Sequence, residues 1–327
     1  MIKRTITGIC LIAVVTGFFF LREVDLAFFE AFLCFLSTLG AFEMTRAMGE
    51  NIRLPHKIAA IVFGAAVAPI FHFFGTVGVC YLFMGFAVLQ LLLTVFLNAE
   101  AVSFAYGVTA MVYPCLFIAC MLVLNAMEQN SLLALVTVFV LPSAADTFAY
   151  VVGSIFKGKK LCPSISPNKT ISGAIGGLVG GAIATVVLYF IFRSDLAYSG
   201  KVPELLLFIL VGMTAAFLTE VGDLAESVLK RKFGVKDMGK LLPGHGGILD
   251  RIDGVMLAGV FLTFVFTLLI RQRLRIVSLK FAELSQALQG GKRCKNHSKS
   301  FVLLAVRKIA ENKGGKDFAR RCHCGEI

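Results

Sequence analysis

The residues of this sequence best suited to chemistry lie between positions 219 and 254, where one apolar segment ends and another begins. The first segment ends in three carboxylates, a hydroxyl and an ammonium: Glu220, Asp223, Glu226, Ser227 and Lys230. Because residues of an α-helix advance by about 100° each, a helix here would place all five on one face. Charge of both signs beside apolar segments is costly and usually functional.

The second apolar segment opens with Asp250 and Asp253, which share a helix face if the helix has already begun there. Carboxylates from two helices, with no cluster of His or Cys nearby, suit a hard cation such as Mg²⁺. The loop between the segments adds cations and glycines, whose exposed backbone amides suit polyphosphates. A metal site beside a phosphate site indicates nucleotide chemistry. A simple basic loop at a membrane surface would explain the Lys and Arg residues, but not the run from Pro243 to Gly247 followed at once by acids.

A second polar grouping begins at Asp146, within an apolar run, and continues into a loop that offers Ser166, Lys169 and Thr170. An acid this deep in an apolar helix usually has a partner or a cation. The loop is stiffened by two prolines and is predicted to lie on the same side as the loop at 230–251.

The elements that position these residues are predicted to be membrane-spanning helices. It is 57% hydrophobic and 16% charged over 327 residues, whereas a soluble protein carries about a quarter charged residues. Apolar runs near the 20 residues that cross a bilayer recur along it. They predict an all-α, polytopic protein with about nine transmembrane helices at roughly 5–21, 24–42, 57–75, 77–97, 103–124, 131–156, 171–192, 202–226 and 254–270. The first lacks a small-residue cleavage site and is expected to stay as a helix rather than a signal peptide.

Residues 1–270 are predicted to form the membrane domain, and residues 271–327 a basic tail that is partly disordered. The net charge is +12, but the tail, with fourteen Lys or Arg and four Asp or Glu, supplies ten of these charges. Such a tail is typical of a solvated or lipid-facing segment, so we expect no nucleic-acid partner. The basic loops of the membrane domain fall on one side, which the positive-inside rule makes cytoplasmic. Nine crossings would put the tail on the other side, a conflict that the sequence leaves open.

Glycines recur every four residues from 173 to 181 and from 176 to 180, which makes two adjacent small-residue stripes. In a membrane such stripes let helices approach closely. We therefore favour helix packing over a phosphate-binding loop, either within one protomer or between the two of a homodimer.

The run S-x-x-K-R-x4-K-D-x-G-x2-L-P-G-H-G-G-x2-D-R-x-D, from Ser227 to Asp253, resembles the signature of the integral membrane phosphatidate cytidylyltransferases, or CDP-diacylglycerol synthases. The preceding GDLAES, the upstream Asp146-Thr147 pair and the ISP-x-KT loop also fit this family. The sequence departs from the family pattern at Phe148, where glycine is usual, and at Ser172, where glutamate is usual.

The resemblance implies an enzyme of phospholipid biosynthesis in the cytoplasmic (inner) membrane, whose active site faces the cytoplasm. It would condense phosphatidate with CTP to give CDP-diacylglycerol and pyrophosphate. Because a phosphomonoester is already anionic, the task is positioning and charge neutralisation. Mg²⁺, with room for a second cation, would assist.

On this basis we expect Asp223 and Asp250 to be the primary metal ligands, with Asp146 and Asp253 as secondary candidates. The residues expected to contact the phosphates of CTP and the lipid are Lys230, Arg231, Lys236, Ser166, Lys169, Thr170 and Ser227. Arg251 would either orient its neighbouring acids or contact substrate, and His245 would bind phosphate or stabilise the loop. Glu220 and Glu226 are expected to support nearby cations.

Two other functions stay open at this point. A CTP-dependent lipid kinase would share the metal and phosphate chemistry, but it would release CDP instead of pyrophosphate. A transporter would use acids such as Asp146 in an ion pathway. The clustering of polar residues at one membrane face, without paired broken helices in two halves, disfavours the transporter.

Overall fold

The computed structural model describes residues 2–192, 203–242, 244 and 246–289. The helices are α1 (Ile2–Arg22), α2 (Leu26–Ala47), α3 (Leu54–Phe96), α4 (Ala101–Ala110), α5 (Phe117–Asn125), α6 (Ser131–Phe156), α7 (Ile171–Ile191), α8 (Glu204–Lys232) and α9 (Leu249–Gln289). A short 3₁₀ turn covers Gly49–Asn51, and a wide helical turn at Met111–Leu116 joins α4 to α5. Two strands, β1 (Lys160–Cys162) and β2 (Ser166–Thr170), form a small antiparallel sheet.

Among the described residues, seven helical segments are long and apolar enough to cross a membrane, and Ile6–Arg22 within α1 is a shorter apolar stretch. The prediction of a polytopic, all-α membrane protein is therefore confirmed, with the small sheet as an exception. The count of nine crossings is not confirmed, because α3 is one of the seven segments although it contains two predicted ones, and α1 is not among the seven. The helix α9 runs past residue 270, the predicted domain boundary, which stays a prediction, and residues 290–327 of the predicted tail lie outside the described residues.

The helix α3 is folded back on itself at Gly75, whose φ of 62° and ψ of −157° interrupt the helical path. The imidazole Nδ1 of His56 lies 2.5 Å from Oε1 of Gln90, and the Phe63 and Phe86 rings lie 5.6 Å apart. A straight helix would separate residues 56 and 90 by about 50 Å. The two arms of α3 are therefore antiparallel and correspond to the predicted segments 57–75 and 77–97.

The connection between α4 and α5 breaks the helix at Tyr113, whose φ of −114° and ψ of 105° are not helical. Irregular backbone at membrane depth is tolerated only where protein covers it or where it lines a cavity. Here Met111, Pro114 and Cys115 are buried. A Cβ on Gly40 of α2 would lie 2.5 Å from the Pro114 ring and 3.8 Å from the Leu249 side chain. The break therefore lies beside the start of α9.

The two glycine stripes of α7 pack within the protomer. A Cβ on Gly176 or Gly180 would come within 2.6 Å of Val152 or Phe148 of α6. A Cβ on Gly181 would meet the carbonyl oxygen of Gly212 of α8 at 2.6 Å. The packing interpretation is confirmed, while the homodimer stays a prediction.

The polar loops collect at one end of these helices. Arg53 donates hydrogen bonds to the carbonyls of Leu97 and Asn98, and Lys169 of β2 reaches Glu220 of α8. At the opposite end of the helices, the buried Arg22 donates hydrogen bonds to Asn125 and Ser131. These bonds link the end of α1 to the connection between α5 and α6. The basic loops thus share one end, as predicted, and its assignment to the cytoplasm stays a prediction.

The segment after α6 was expected to be a loop, but it forms the hairpin of β1 and β2, with Cys162 opposite Ser166. Cys162 and Ser166 each precede a proline. A following proline disfavours helical angles and pushes the residue into the extended region. The same prolines that stiffen the segment therefore favour strands.

Candidate metal and phosphate site

The helices α8 and α9 cross closely enough to bring their acids together. A Cβ on Gly222 would lie 2.8 Å from the carbonyl oxygen of Asp253, and one on Gly254 would lie 2.6 Å from Thr219. The approach is possible because neither position carries a side chain. It confirms that α8 extends through the acidic stretch and that α9 has begun before Asp253.

Three carboxylates meet at this crossing: Asp223, Glu226 and Asp253, here called the acid trio. One oxygen of each lies within 4.8 Å of those of the other two. Three carboxylates at this separation repel one another unless protons or a cation intervene. The sequence predicted Asp223 and Asp253 here, and gave Glu226 only a supporting role.

In the acid trio, the carboxylate of Glu226 has an oxygen that lacks a hydrogen-bond donor in the described part of the chain. Its side chain is 0% exposed, and Oε2 accepts a hydrogen bond of 2.8 Å from Lys230. Its Oε1 is buried and receives no hydrogen bond from the residues that the structure describes, unless a proton is shared with the neighbouring carboxyl of Asp253. A buried polar atom without a partner costs about 1–3 kcal/mol, and more when it is charged. An oxygen-rich site with one unpaired buried oxygen fits a hard divalent cation.

Lys169 connects the acid trio to the β-hairpin. Its Nζ lies 2.6 Å from Oε2 of Glu220 and 2.7 Å from Oδ2 of Asp223. Burial alone would lower the pKa of Lys169, but the carboxylates of Asp223 and Glu220 outweigh it and raise the pKa above its usual value. Lys169 is therefore a cation at neutral pH.

A cavity of about 740 Å³ opens beside this lysine, between α6, the β-hairpin and α7. Three lysines contribute to its wall, Lys157, Lys160 and Lys169, together with Asp146 and Glu220. Several ammonium groups around one cavity favour phosphate groups. Because Lys169 both lines the cavity and pairs with Asp223, the cavity adjoins the acid trio. Asp146 of α6 is an exposed residue that lines the cavity.

Asp250 has a different environment from the acid trio. Its carboxylate accepts hydrogen bonds from the backbone N–H groups of Met238, at 3.0 Å, and of Gly247, at 2.7 Å. It also accepts from the backbone of Gly239 and pairs with Lys230 at 3.0 Å. The residue is 8% exposed, and its carboxylate is well supplied with donors. It organises the loop between α8 and α9.

Glu43 of α2 also organises the end of this loop, a role that was not predicted from the sequence. Its carboxylate accepts hydrogen bonds from the backbone N–H groups of Ile248 and Leu249, at 3.1 and 2.9 Å, and so caps the start of α9. Gly239 and Gly247 pack directly against it. The available signal was an acid at the end of an apolar run, which is itself a sign of function.

The other predicted residues fall into three groups. Lys230 joins Glu226 to Asp250, and Thr170 caps the start of α7 by accepting from Gly173 N–H. Ser166 lies at the start of β2, and Ser227 is half-buried on α8. Exposed positions are held by Arg231, Lys236 and Arg251. His245 lies outside the described residues.

Comparison with known proteins places this arrangement in a family. Residues 2–269 match the profile of the cytidylyltransferase family. The chain belongs to the cytidylyltransferase family.

Individual relatives of this family member carry the name phosphatidate cytidylyltransferase. The protein of Staphylococcus haemolyticus is 42% identical over 131 residues, which are 40% of this chain and 48% of the relative. That of Thermotoga maritima is 42% identical over 140 residues, 43% of this chain and 50% of the relative. That of Rickettsia prowazekii is 37% identical over 137 residues, 42% of this chain and 60% of the relative. The chain thus spans about half the length of the curated relatives it matches.

The two positions expected to depart from the family pattern, Phe148 and Ser172, have structural roles here. Phe148 packs over Gly180, where its Cβ would lie 2.6 Å from an added Cβ. Ser172 donates a short hydrogen bond to the carbonyl of Lys157 and lies 3.2 Å from the Thr170 hydroxyl. The serine thereby closes the loop that carries the cavity lysines.

Proposed function

We propose that this protein transfers the cytidylyl group of CTP to phosphatidate, which gives CDP-diacylglycerol and pyrophosphate. The names of its relatives support this substrate pair. The observation that carries the proposal is the acid trio with its unpaired buried oxygen, joined through Lys169 to a cavity lined by lysines. A cation site next to a phosphate site is the arrangement that nucleotidyl transfer requires.

In this reaction an oxygen of the lipid phosphate forms a bond to the α-phosphorus of CTP, and the bond from that phosphorus to the β-phosphate oxygen breaks. The phosphate nucleophile is already ionised at neutral pH, so the site needs no strong base. Two anions must instead be held together against their repulsion. We assign that task to Lys157, Lys160 and Lys169, which surround the cavity.

We propose that Asp223, Glu226 and Asp253 hold a divalent cation, most simply Mg²⁺. Bound there, it would neutralise charge on the phosphates during transfer. Lys230 holds the Glu226 carboxylate in place through its 2.8 Å contact. Asp146, which lines the adjoining cavity, is assigned to the second cation.

This assignment replaces the sequence-based choice of Asp250 as a primary ligand. Three backbone N–H groups and Lys230 already occupy the oxygens of Asp250. Its role in the proposal is to shape the loop that faces the substrates. Arg231 and Lys236 lie exposed at the same end and are assigned to the entry of CTP.

The placement of the cavity suits one soluble and one lipid substrate. The outer faces of α6 and α7 beside it are exposed and apolar, as at Ile155, Phe156 and Ile175. The acyl chains of phosphatidate would remain in the bilayer along this face while the headgroup reaches the lysines. We propose that the site opens to the cytoplasm from the cytoplasmic membrane, since the basic loops lie at this end.

The test is incubation of the purified protein with CTP labelled at the α-phosphate, phosphatidate and Mg²⁺, followed by lipid extraction. We expect the label in a CDP-lipid and one pyrophosphate released for each lipid formed. Label found in free CDP with a phosphorylated lipid would show a kinase instead. Asp253→Asn serves as the inactive control.

A further inference from the structure

Lys169 pairs with an acid that the proposed function assigns to the cation. Its Nζ lies 2.7 Å from Oδ2 of Asp223, a member of the acid trio, and 2.6 Å from Oε2 of Glu220, which is not a member. A divalent cation held by Asp223 would meet the positive charge of Lys169 on the same carboxylate. Like charges at such short distances repel strongly. Lys169 and the cation therefore compete for Asp223.

The two partners of Lys169 differ in their access to solvent. The side chain of Glu220 is 9% exposed, and its Oε1 lies 3.3 Å from the place that a Cβ on Gly177 would take. This carboxylate is thus packed between α8 and α7. The side chain of Asp223 is 34% exposed. An incoming ion can reach Asp223 directly, while Glu220 remains as a fixed partner for the ammonium. The contact that can be exchanged is the one with Asp223.

The other lysine beside the acid trio is held more firmly. Lys230 pairs with Glu226 at 2.8 Å and with Asp250 at 3.0 Å, and the side chains of these two acids are 0% and 3% exposed. Loss of either pair would leave a buried charge without its partner, which is strongly destabilising. Of the two lysines, Lys169 is therefore the one that can move.

The adjoining cavity offers Lys169 a second position. Lys169 is half-buried and is one of the residues that line the cavity. A lysine carries three donors at the end of a flexible four-carbon stem. A rotation away from Asp223 can leave the ammonium on Glu220 and turn it toward the cavity. A phosphate oxygen there would replace the carboxylate that the ammonium has left.

We propose that Lys169 is an exchangeable counter-ion, which occupies Asp223 until a divalent cation binds there and then gives its charge to a phosphate group in the cavity. The inference rests on the proposed function, which assigns the cation to the acid trio and phosphate to the cavity. Lys169 released from Asp223 is free to bind phosphate, and Lys169 bound to phosphate leaves Asp223 open to the cation. Each ligand therefore strengthens the binding of the other.

The experiment measures Mn²⁺ binding without nucleotide, by electron paramagnetic resonance of the free ion, in purified wild type, Lys169→Met and Lys157→Met. Methionine keeps a long apolar stem and removes the charge. Lys157 is the matched control, because it is an exposed lysine of the same cavity for which the described residues provide no ion pair. We expect Lys169→Met to bind Mn²⁺ about tenfold more tightly than the wild type, since the competitor for Asp223 is gone. At about 0.15 M salt, which screens exposed charges, Lys157→Met should stay within about twofold.

The second measurement is equilibrium dialysis of the same proteins with labelled CTP in the presence of a chelator. Both variants should bind CTP more weakly than the wild type, by about tenfold, because each has lost a phosphate-binding charge. Opposite shifts in one variant, tighter for Mn²⁺ and weaker for CTP, are the result that the exchange predicts for Lys169→Met. Thermal unfolding confirms that each variant is folded, and Lys169→Gln replaces Lys169→Met if that variant is not.

An Mn²⁺ affinity that is unchanged or weaker in Lys169→Met, with Mn²⁺ bound to the wild type, would overturn the inference and leave the cation site standing. An equal gain in Lys157→Met would also overturn it, since that shows only a general effect of charge. Unchanged CTP binding in Lys169→Met would overturn it as well. If none of the proteins binds Mn²⁺, the cation site and the inference both fail, and the assay of cytidylyl transfer decides separately on the proposed reaction.

Discussion

Asp250 and Asp253 lie one helical turn apart on α9 and look equivalent in the sequence, yet the structure gives them opposite surroundings. Asp250 receives backbone N–H donors and the Lys230 ammonium. Asp253 accepts one backbone N–H, from Gly254, and otherwise faces the carboxylates of Asp223 and Glu226. The difference teaches that residue type and spacing identify an acidic centre, while the donors around each carboxylate decide whether it holds the protein together or binds a ligand.

The largest effect is expected for Asp253→Asn, which removes one member of the acid trio. Turnover should fall by on the order of a thousandfold, because the cation would lose a charged ligand. Without metal, the variant should unfold at the same temperature as the wild type or higher, since one repulsion is relieved. Steady-state assays and thermal unfolding in detergent measure the two effects. Near-normal turnover would remove Asp253 from the metal site.

Asp250→Asn should show the reverse pattern. The amide replaces one acceptor oxygen and abolishes the pair with Lys230, so we expect a loss of about 2–4 kcal/mol in the free energy of unfolding. Activity should fall as the loop loosens, but the concentration of Mg²⁺ that gives half-maximal activity should change little. A stable variant with a greatly raised Mg²⁺ requirement would contradict the comparison and make Asp250 a ligand.

Lys169→Ala tests the link between the acid trio and the cavity. Loss of the ammonium should raise KM for CTP about tenfold, because one phosphate-binding charge disappears. Burial lowers the pKa of Lys169, but the carboxylates of Asp223 and Glu220 raise it by more, so the pKa lies above its ordinary value. Lys169 is therefore protonated at every pH below the ordinary pKa of a lysine. The ratio of wild-type to variant kcat/KM should consequently be constant from pH 7 to 9. A CTP dependence equal to that of the wild type would separate Lys169 from the nucleotide.

Glu43→Gln is expected to have the smallest effect. Like Asp250, Glu43 accepts hydrogen bonds from backbone N–H groups near the start of α9. Only one of the two acceptor oxygens remains for Ile248 and Leu249 N–H. We expect a loss of about 1 kcal/mol in the free energy of unfolding, with KM for Mg²⁺ unchanged. Denaturant unfolding measures it. A raised Mg²⁺ requirement would show that Glu43 acts on the metal site directly.

Much of this account was accessible from the sequence. The lengths of the apolar runs predicted the membrane helices, and the spacing of residues 220 to 230 predicted their shared face on α8. The glycines of α7 predicted close packing, because small residues at every fourth position leave a groove.

Other features depend on contacts between residues far apart in the sequence. The cap on α9 comes from Glu43, about two hundred residues earlier. The choice between Asp250 and Asp253 depends on backbone N–H groups of the intervening loop, whose direction no spacing rule gives. The strands β1 and β2 were missed although the prolines that favour them were visible.

The central claim is that the acid trio, and not Asp250, holds the divalent cation. Titration of the purified protein with Mn²⁺, followed by electron paramagnetic resonance of the free ion, tests it without any assay of activity. The account predicts that tight Mn²⁺ binding is lost in Asp223→Asn and Asp253→Asn and kept in Asp250→Asn at a temperature where all three are folded. Binding lost in folded Asp250→Asn and kept in Asp253→Asn would contradict it.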